Sequence, residues 1–251
     1  MPIPQTIAFR PANFAILFPL LFVIQGWDAD ARMASGRMEE DRIGVYRPEG
    51  KGPYPTVIYN HGLVVDMFGI GGAAIKGYNL DGICRALAAD GFLTFTPIRR
   101  SGRRDIPAHK EEVSQAVDYV KTQPDVDPTR IALMGFSRGG LLTLMVGVGR
   151  NDLKALLILA PAPGGRGDFV KAVKHVGSLN APVLLLAEAG DGTDILGNFD
   201  MLDQALKAHG KEARSILYNR GGGHLLFYDV GYYWADVKAF LREKLGGARG
   251  R

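Results

Sequence analysis

The sequence predicts an α/β fold, a mostly parallel, doubly wound sheet with helices on both faces. Three observations carry this. Short, unbroken apolar runs recur along the chain, as strands buried on both faces require. Helix-length amphipathic segments alternate with them, which implies right-handed crossovers within one sheet. The 251 residues are 47% hydrophobic and 22% charged, ordinary globular usage that excludes disorder as the main state.

The first strong strand is expected at residues 56–60, opened by Pro55 and closed by His61 and Gly62. Others follow at 92–96, 130–135, 155–160, 182–186 and 215–218. A helix over 80–89 ends at Gly91, a good stop. Residues 108–121 set Val113, Ala116, Val117 and Val120 on one face, opposite Lys110, Glu111, Glu112 and Asp118. Helices over 199–209 and 232–245 complete the alternation. Only about twenty residues separate the run ending at Ala160 from the next strand, enough for one short helix and no large lid. Residues 32–251 therefore read as a single domain.

Residues 1–31 differ from the rest. Arg10 precedes an apolar run from Phe14 to Ile24, and Ala29-Asp30-Ala31 offers a small-x-small cleavage site. This is the pattern of a secretory signal peptide, and the run is too short to span a bilayer comfortably. A bacterial periplasmic or secreted location is expected, with no stable membrane insertion once the signal is cleaved. A single cysteine, Cys84, excludes a disulfide framework or a cysteine-based metal site, and its apolar surroundings predict a buried, inert thiol. A net charge of +4 is weak evidence for nucleic acid. The basic run from Arg99 to Arg104 lacks interleaved aromatics, so it reads as a solvated loop with one Arg paired internally. No His-x-x-x-His or carboxylate cluster points to a metal.

The chemistry concentrates at Gly135-Phe136-Ser137-Arg138-Gly139-Gly140, between a strand and an apolar helix. This is the G-x-S-x-G nucleophile elbow in the context that gives it meaning. The glycines are needed because side chains there would collide with strand and helix. Ser137 is thereby forced into a strained turn that projects its hydroxyl, and the Arg138 N–H at the helix start is an oxyanion donor. A serine nucleophile needs a base, and the base needs an orienting carboxylate. His224, in a Gly-rich loop after the last strand, is the choice of base. His109, His175 and His209 fall on or near helix surfaces, where a solvated role is expected, and His61 comes too early in chain order. Past the strand at 182–186, Glu188, Asp191 and Asp194 could each supply the acid. Asp191, in a glycine-flanked turn, is preferred and Asp194 next; the alternative for the two besides Asp191 is an ordinary turn carboxylate that caps the helix near Asn198. The second oxyanion donor is expected after the 56–60 strand, at the N–H of Leu63 or else Val64.

These segments, from His61-Gly62 through the run 125–140 to Gly223-His224, resemble the α/β-hydrolase superfamily, its dienelactone-hydrolase-like and prolyl-oligopeptidase-like branch. The resemblance covers roughly residues 41–245 and implies a Ser-Asp-His hydrolase without cofactor, acting on a small-molecule ester or peptide. Dienelactone hydrolases typically carry Cys where this chain has Ser137, which favours a general esterase. A peptidase or amidase is the rival within the class, and a non-catalytic binding protein the rival outside it. Gly69-Ile70-Gly71-Gly72-Ala73-Ala74 mimics a dinucleotide fingerprint but starts too far past its strand, so it reads as a flexible loop.

Overall fold

A computed structural model describes residues 43–100 and 105–246. The predicted signal peptide therefore lies outside the described residues, as do residues 101–104 of the basic run. Seven strands form one sheet: β1 (Ile43–Tyr46), β2 (Tyr54–Asn60), β3 (Leu93–Pro97), β4 (Val126–Phe136), β5 (Ala155–Leu159), β6 (Val183–Glu188) and β7 (Ala213–Tyr218). Their spatial order is β1-β3-β2-β4-β5-β6-β7. All neighbours are parallel except β1, which runs antiparallel to β3 at the edge. This short edge strand escaped the sequence reading because four residues, Ile-Gly-Val-Tyr, carry no decisive periodicity.

The helices are α1 (Leu63–Ile75), α2 (Leu80–Ala89), α3 (Ile106–Lys121), α4 (Arg138–Gly147), α5 (Asp168–Val173), α6 (Thr193–Ala208) and α7 (Trp234–Leu245). They cover both faces. Along β4, Ile131 and Leu133 point into a core with Val113, Val117 and Val120 of α3, Leu141 and Leu142 of α4 and Leu202 of α6. The alternate residues Ala132, Met134 and Phe136 join Ile83 and Leu87 of α2 and Val237 and Leu241 of α7. Period-two alternation through a strand buried on both faces is what the unbroken apolar runs encoded. Between β5 and β6 stand only α5 and one 3-10 turn, Val176–Ser178, in keeping with a fold that has no large lid.

Two expectations, for residues 69–74 and for His109, need correction. Residues 69–74 are not a loop but belong to α1, which kinks at Gly69 (φ 68°, ψ 176°) and resumes. The glycines hid the helix because they weaken propensity without preventing it where tertiary packing supplies the stability. His109 is fully buried rather than solvated, because the i, i+4, i+8 row of His109, Val113 and Val117 turns it toward the sheet. Arg99 is 2% exposed and is the internally paired arginine of the basic run, while Arg100 is exposed. Cys84 is buried as expected, and burial pushes its thiol well above the usual range.

Candidate active site

Ser137 stands between the end of β4 and the start of α4 with φ 54° and ψ −116°, outside the regions an L-residue normally occupies. The surroundings enforce that strain. The Ser137 N–H donates to the Leu159 carbonyl at 2.9 Å, and its own carbonyl accepts from Leu141 N at 3.1 Å. A Cβ on Gly135 would collide with the Gly139 carbonyl, and one on Gly139 with the Asn60 carbonyl. Both glycines are therefore dictated by backbone contact, as the motif predicted.

The loop after β2 lies alongside. A Cβ on Gly62 would meet the Phe136 ring at 3.0 Å and Ser137 Cβ at 3.8 Å. Leu63 and Arg138 are the first residues of α1 and α4, so their N–H groups have no intrahelical acceptor and lie where each helix dipole is positive. The loop carrying the predicted donor Leu63 thus lies beside the serine turn, and the predicted donor Arg138 directly follows Ser137. This loop is tied down by buried side chains. Arg99 donates from Nε to Asp66 Oδ1 at 3.0 Å, and from Nη2 to Asp66 Oδ2 at 2.9 Å and to the His61 carbonyl at 2.7 Å. Arg138 Nη1 approaches Asp66 Oδ2 at 3.7 Å, so one carboxylate links the oxyanion loop, the end of β3 and the nucleophile helix. Burial, and then the Arg99 charge, hold His61 well below the usual histidine range, so its ring stays neutral. The Tyr78 hydroxyl accepts from Gly62 N at 3.3 Å and pairs with the Tyr59 hydroxyl at 2.9 Å. None of Asp66, Arg99 or Tyr78 was singled out from sequence as part of the site.

On the far side of the elbow, His224 opens a 3-10 turn, Gly223–Tyr228. Its Nδ1 lies 2.7 Å from Asp191 Oδ2. The Asp191 side chain is 3% exposed and that of His224 30%, a desolvated carboxylate beside a reachable imidazole. The His224 ring packs on Phe136, the residue before Ser137, with centroids 4.7 Å apart. Among the described residues no hydrogen bond joins the Ser137 hydroxyl to His224; unliganded sites often close this contact only with substrate bound. Asp194 accepts from Ile195 N at 3.1 Å in its own helix, and among the described residues the hydrogen bond of the His224 ring to a carboxylate goes to Asp191. Glu188 is 1% exposed, and its carboxylate is occupied by backbone donors. It is no turn carboxylate capping a helix, as had been expected. Among the described residues no group of three His, Cys, Asp or Glu side chains is placed to hold a metal ion, and no helix is long and apolar enough to cross a membrane.

The strained serine turn, set in a mostly parallel sheet with His224 and Asp191 on the loops beside it, defines the class: this is the α/β-hydrolase fold. The BD-FAE family model matches residues 43–162. A Klebsiella pneumoniae protein designated a dienelactone hydrolase superposes with a TM-score of 0.62 at 21% identity, over 82% of this chain and 92% of its own. The carboxylesterase EstE1, from a metagenomic library, gives 0.63 at 19% identity, over 81% and 84%. Mouse acyl-coenzyme A thioesterase 1 is 24% identical over 229 residues, 74% of this chain and 52% of the thioesterase. The chain thus spans about half the length of that curated relative. It has the α/β-hydrolase fold, and over residues 43–162 it is similar to the BD-FAE family.

Proposed function

We propose that the chain is a serine hydrolase that cleaves a carboxylic ester of a small or exposed substrate through an acyl-enzyme on Ser137. The observation that carries this reading is the 2.7 Å contact between His224 Nδ1 and Asp191 on the loop beside the strained serine turn. Asp191 fixes the tautomer with the proton on Nδ1, which leaves Nε2 as the basic nitrogen. His224 Nε2 takes the Ser137 proton as Oγ attacks the ester carbonyl carbon. The carbonyl π pair moves onto oxygen, where the Leu63 and Arg138 N–H groups stabilise it; such donors are worth about 2.7–4 kcal/mol each. Collapse expels the alcohol oxygen, which takes the proton from the imidazolium. Water then repeats the sequence on the acyl-enzyme, releasing the carboxylic acid and restoring Ser137.

The esterase, thioesterase and hydrolase relatives support carboxylester hydrolysis at the level of the family. A fluorophosphonate probe tests the reading directly. It should modify Ser137 in the native protein and fail on Ser137→Ala, which should also abolish turnover of short-chain aryl esters. Turnover retained by Ser137→Ala would refute the assignment. Parallel assays with esters, thioesters and aminoacyl amides decide the leaving group, including the peptidase-like rival. We propose further that residues 1–31 are an export signal for a periplasmic or secreted enzyme. N-terminal sequencing of the exported protein should begin at residue 32.

A further inference from the structure

The acid–base pair depends on two separate loops meeting in register, one after β6 carrying Asp191 and one after β7 carrying His224. A single buried side chain reaches both. Glu188, the last residue of β6, accepts four backbone N–H donors, two on each oxygen. Its Oε2 takes Gly190 N at 2.6 Å and Gly223 N at 3.1 Å; its Oε1 takes Arg220 N at 3.1 Å and Gly221 N at 2.8 Å. One donor belongs to the Asp191 loop and three to the His224 loop. Ionised carboxylate oxygens have about four lone-pair sites between them, so this acceptor is saturated by main chain alone.

The segment held in this way could not hold itself. Gly221, Gly222 and Gly223 all have positive φ, at 89°, 103° and 50°, and such a run has the largest conformational entropy to lose. The two loops also touch. A Cβ on Gly223 would lie 2.7 Å from the Gly190 carbonyl and 3.5 Å from Asp191 N. His224 directly follows the last clamped residue, and Asp191 directly follows Gly190. The hydrogen bonds, led by that from Gly190, hold the Glu188 carboxyl below the usual carboxylate range against its burial, which keeps the acceptor ionised.

We propose that Glu188 is a positioning residue for catalysis: its buried carboxylate clamps the glycine run and thereby sets His224 against Asp191 and within reach of Ser137. The proposal rests on the serine-hydrolase reading. It goes beyond that reading by assigning to a fourth side chain the geometry of the base.

Glu188→Gln is nearly isosteric but turns an NH2 group toward two of the four N–H donors, so half the clamp is lost. On short-chain aryl esters kcat should fall about 10- to 100-fold with KM within about twofold, since the orientation of the base is lost and not substrate binding. Phosphonylation of Ser137 should slow in parallel. The downfield proton resonance of the His224–Asp191 hydrogen bond, present in the native chain, should broaden or vanish. Glu188→Asp, which keeps the charge on a shorter stem, should recover part of kcat. Activity of Glu188→Gln within twofold of native, or an unchanged downfield resonance, overturns the proposal. Amide exchange on the unmodified protein adds a check that does not depend on a variant folding: Gly190, Gly221 and Gly223 should exchange slowly for loop residues. Exchange at exposed-loop rates overturns the clamp. A native chain that takes up no phosphonate overturns the hydrolase reading and this catalytic role with it, whereas the exchange result reports on the clamp alone.

Discussion

The two sides of the serine turn are held by opposite means. On the side proposed to hold the oxyanion, the chain from His61 to Asp66 is fastened by side chains: Asp66 to Arg99 and Arg138, Arg99 on the His61 carbonyl and the Tyr78 hydroxyl on Gly62 N. On the acid–base side, the glycine run before His224 is fastened through its own main chain, onto the Glu188 carboxylate. The first arrangement leaves backbone N–H groups such as that of Leu63 unspent, which is what an oxyanion donor requires. The second spends the N–H groups of the loop, because there the working group is a side chain and the backbone is free to serve as anchor. The part of each loop left out of the anchoring is the part the chemistry needs.

Substitutions can break or sharpen this contrast. The largest effect is expected from Asp191→Asn, which keeps the shape of the acid–base side while releasing the His224 tautomer. By analogy with other triads, kcat should fall about 10⁴-fold with little change in unfolding midpoint. On the oxyanion side the order of effects reverses. Asp66→Asn strands the buried Arg99 cation, so urea unfolding should show a loss of about 3–5 kcal/mol. A loss no greater than that from a surface substitution would mean the ion pair does not hold this loop. Asp127, partly buried at the opposite end of β4 from Ser137, supplies a calibration. The Thr129 hydroxyl above all, with Arg130, lowers its carboxyl to about 2. Its stabilisation is therefore present above the ordinary carboxylate range and is lost as pH falls toward 2. Asp127→Asn should cost about 1–2 kcal/mol at neutral pH and nothing below about pH 2, measured as unfolding free energy against pH. Tyr78→Phe should cost about 1 kcal/mol and lower kcat only severalfold, since Gly62 N loses one long hydrogen bond. Asp194→Ala should leave kcat within twofold. A large loss there would return the acid's role to the residue the structure sets aside.

Much of this was legible in the chain. The strands of the parallel sheet announce themselves because burial on both faces demands unbroken apolar runs, and Val183–Glu188 or Ala155–Leu159 contain little else. The elbow was legible because its glycines answer to local collisions within a few residues. Asp191, preferred among three carboxylates, and His224 were singled out by their positions after successive strands, and the fold brings the two into contact. Helix α1 was missed because its glycines imitate a loop, and β1 because an edge strand of four residues has no pattern to show. Arg99 looked like one basic residue among several, and nothing in its neighbours reveals a partner 33 positions earlier.

By itself, then, the order of residues determined the layered architecture and the glycine-bounded turn at Ser137, and it singled out Ser137 and His224 as the candidate nucleophile and base. Periodicity and tight turns are short-range properties, written where they act. Only the folded chain set apart the surroundings of Glu188, Asp191 and Asp194, three carboxylates within seven residues: Asp191 meets the His224 ring, and Glu188 meets backbone N–H groups. Their roles depend on which N–H groups and which imidazole arrive from a loop more than thirty residues away, and that meeting is made by the pairing of β6 with β7.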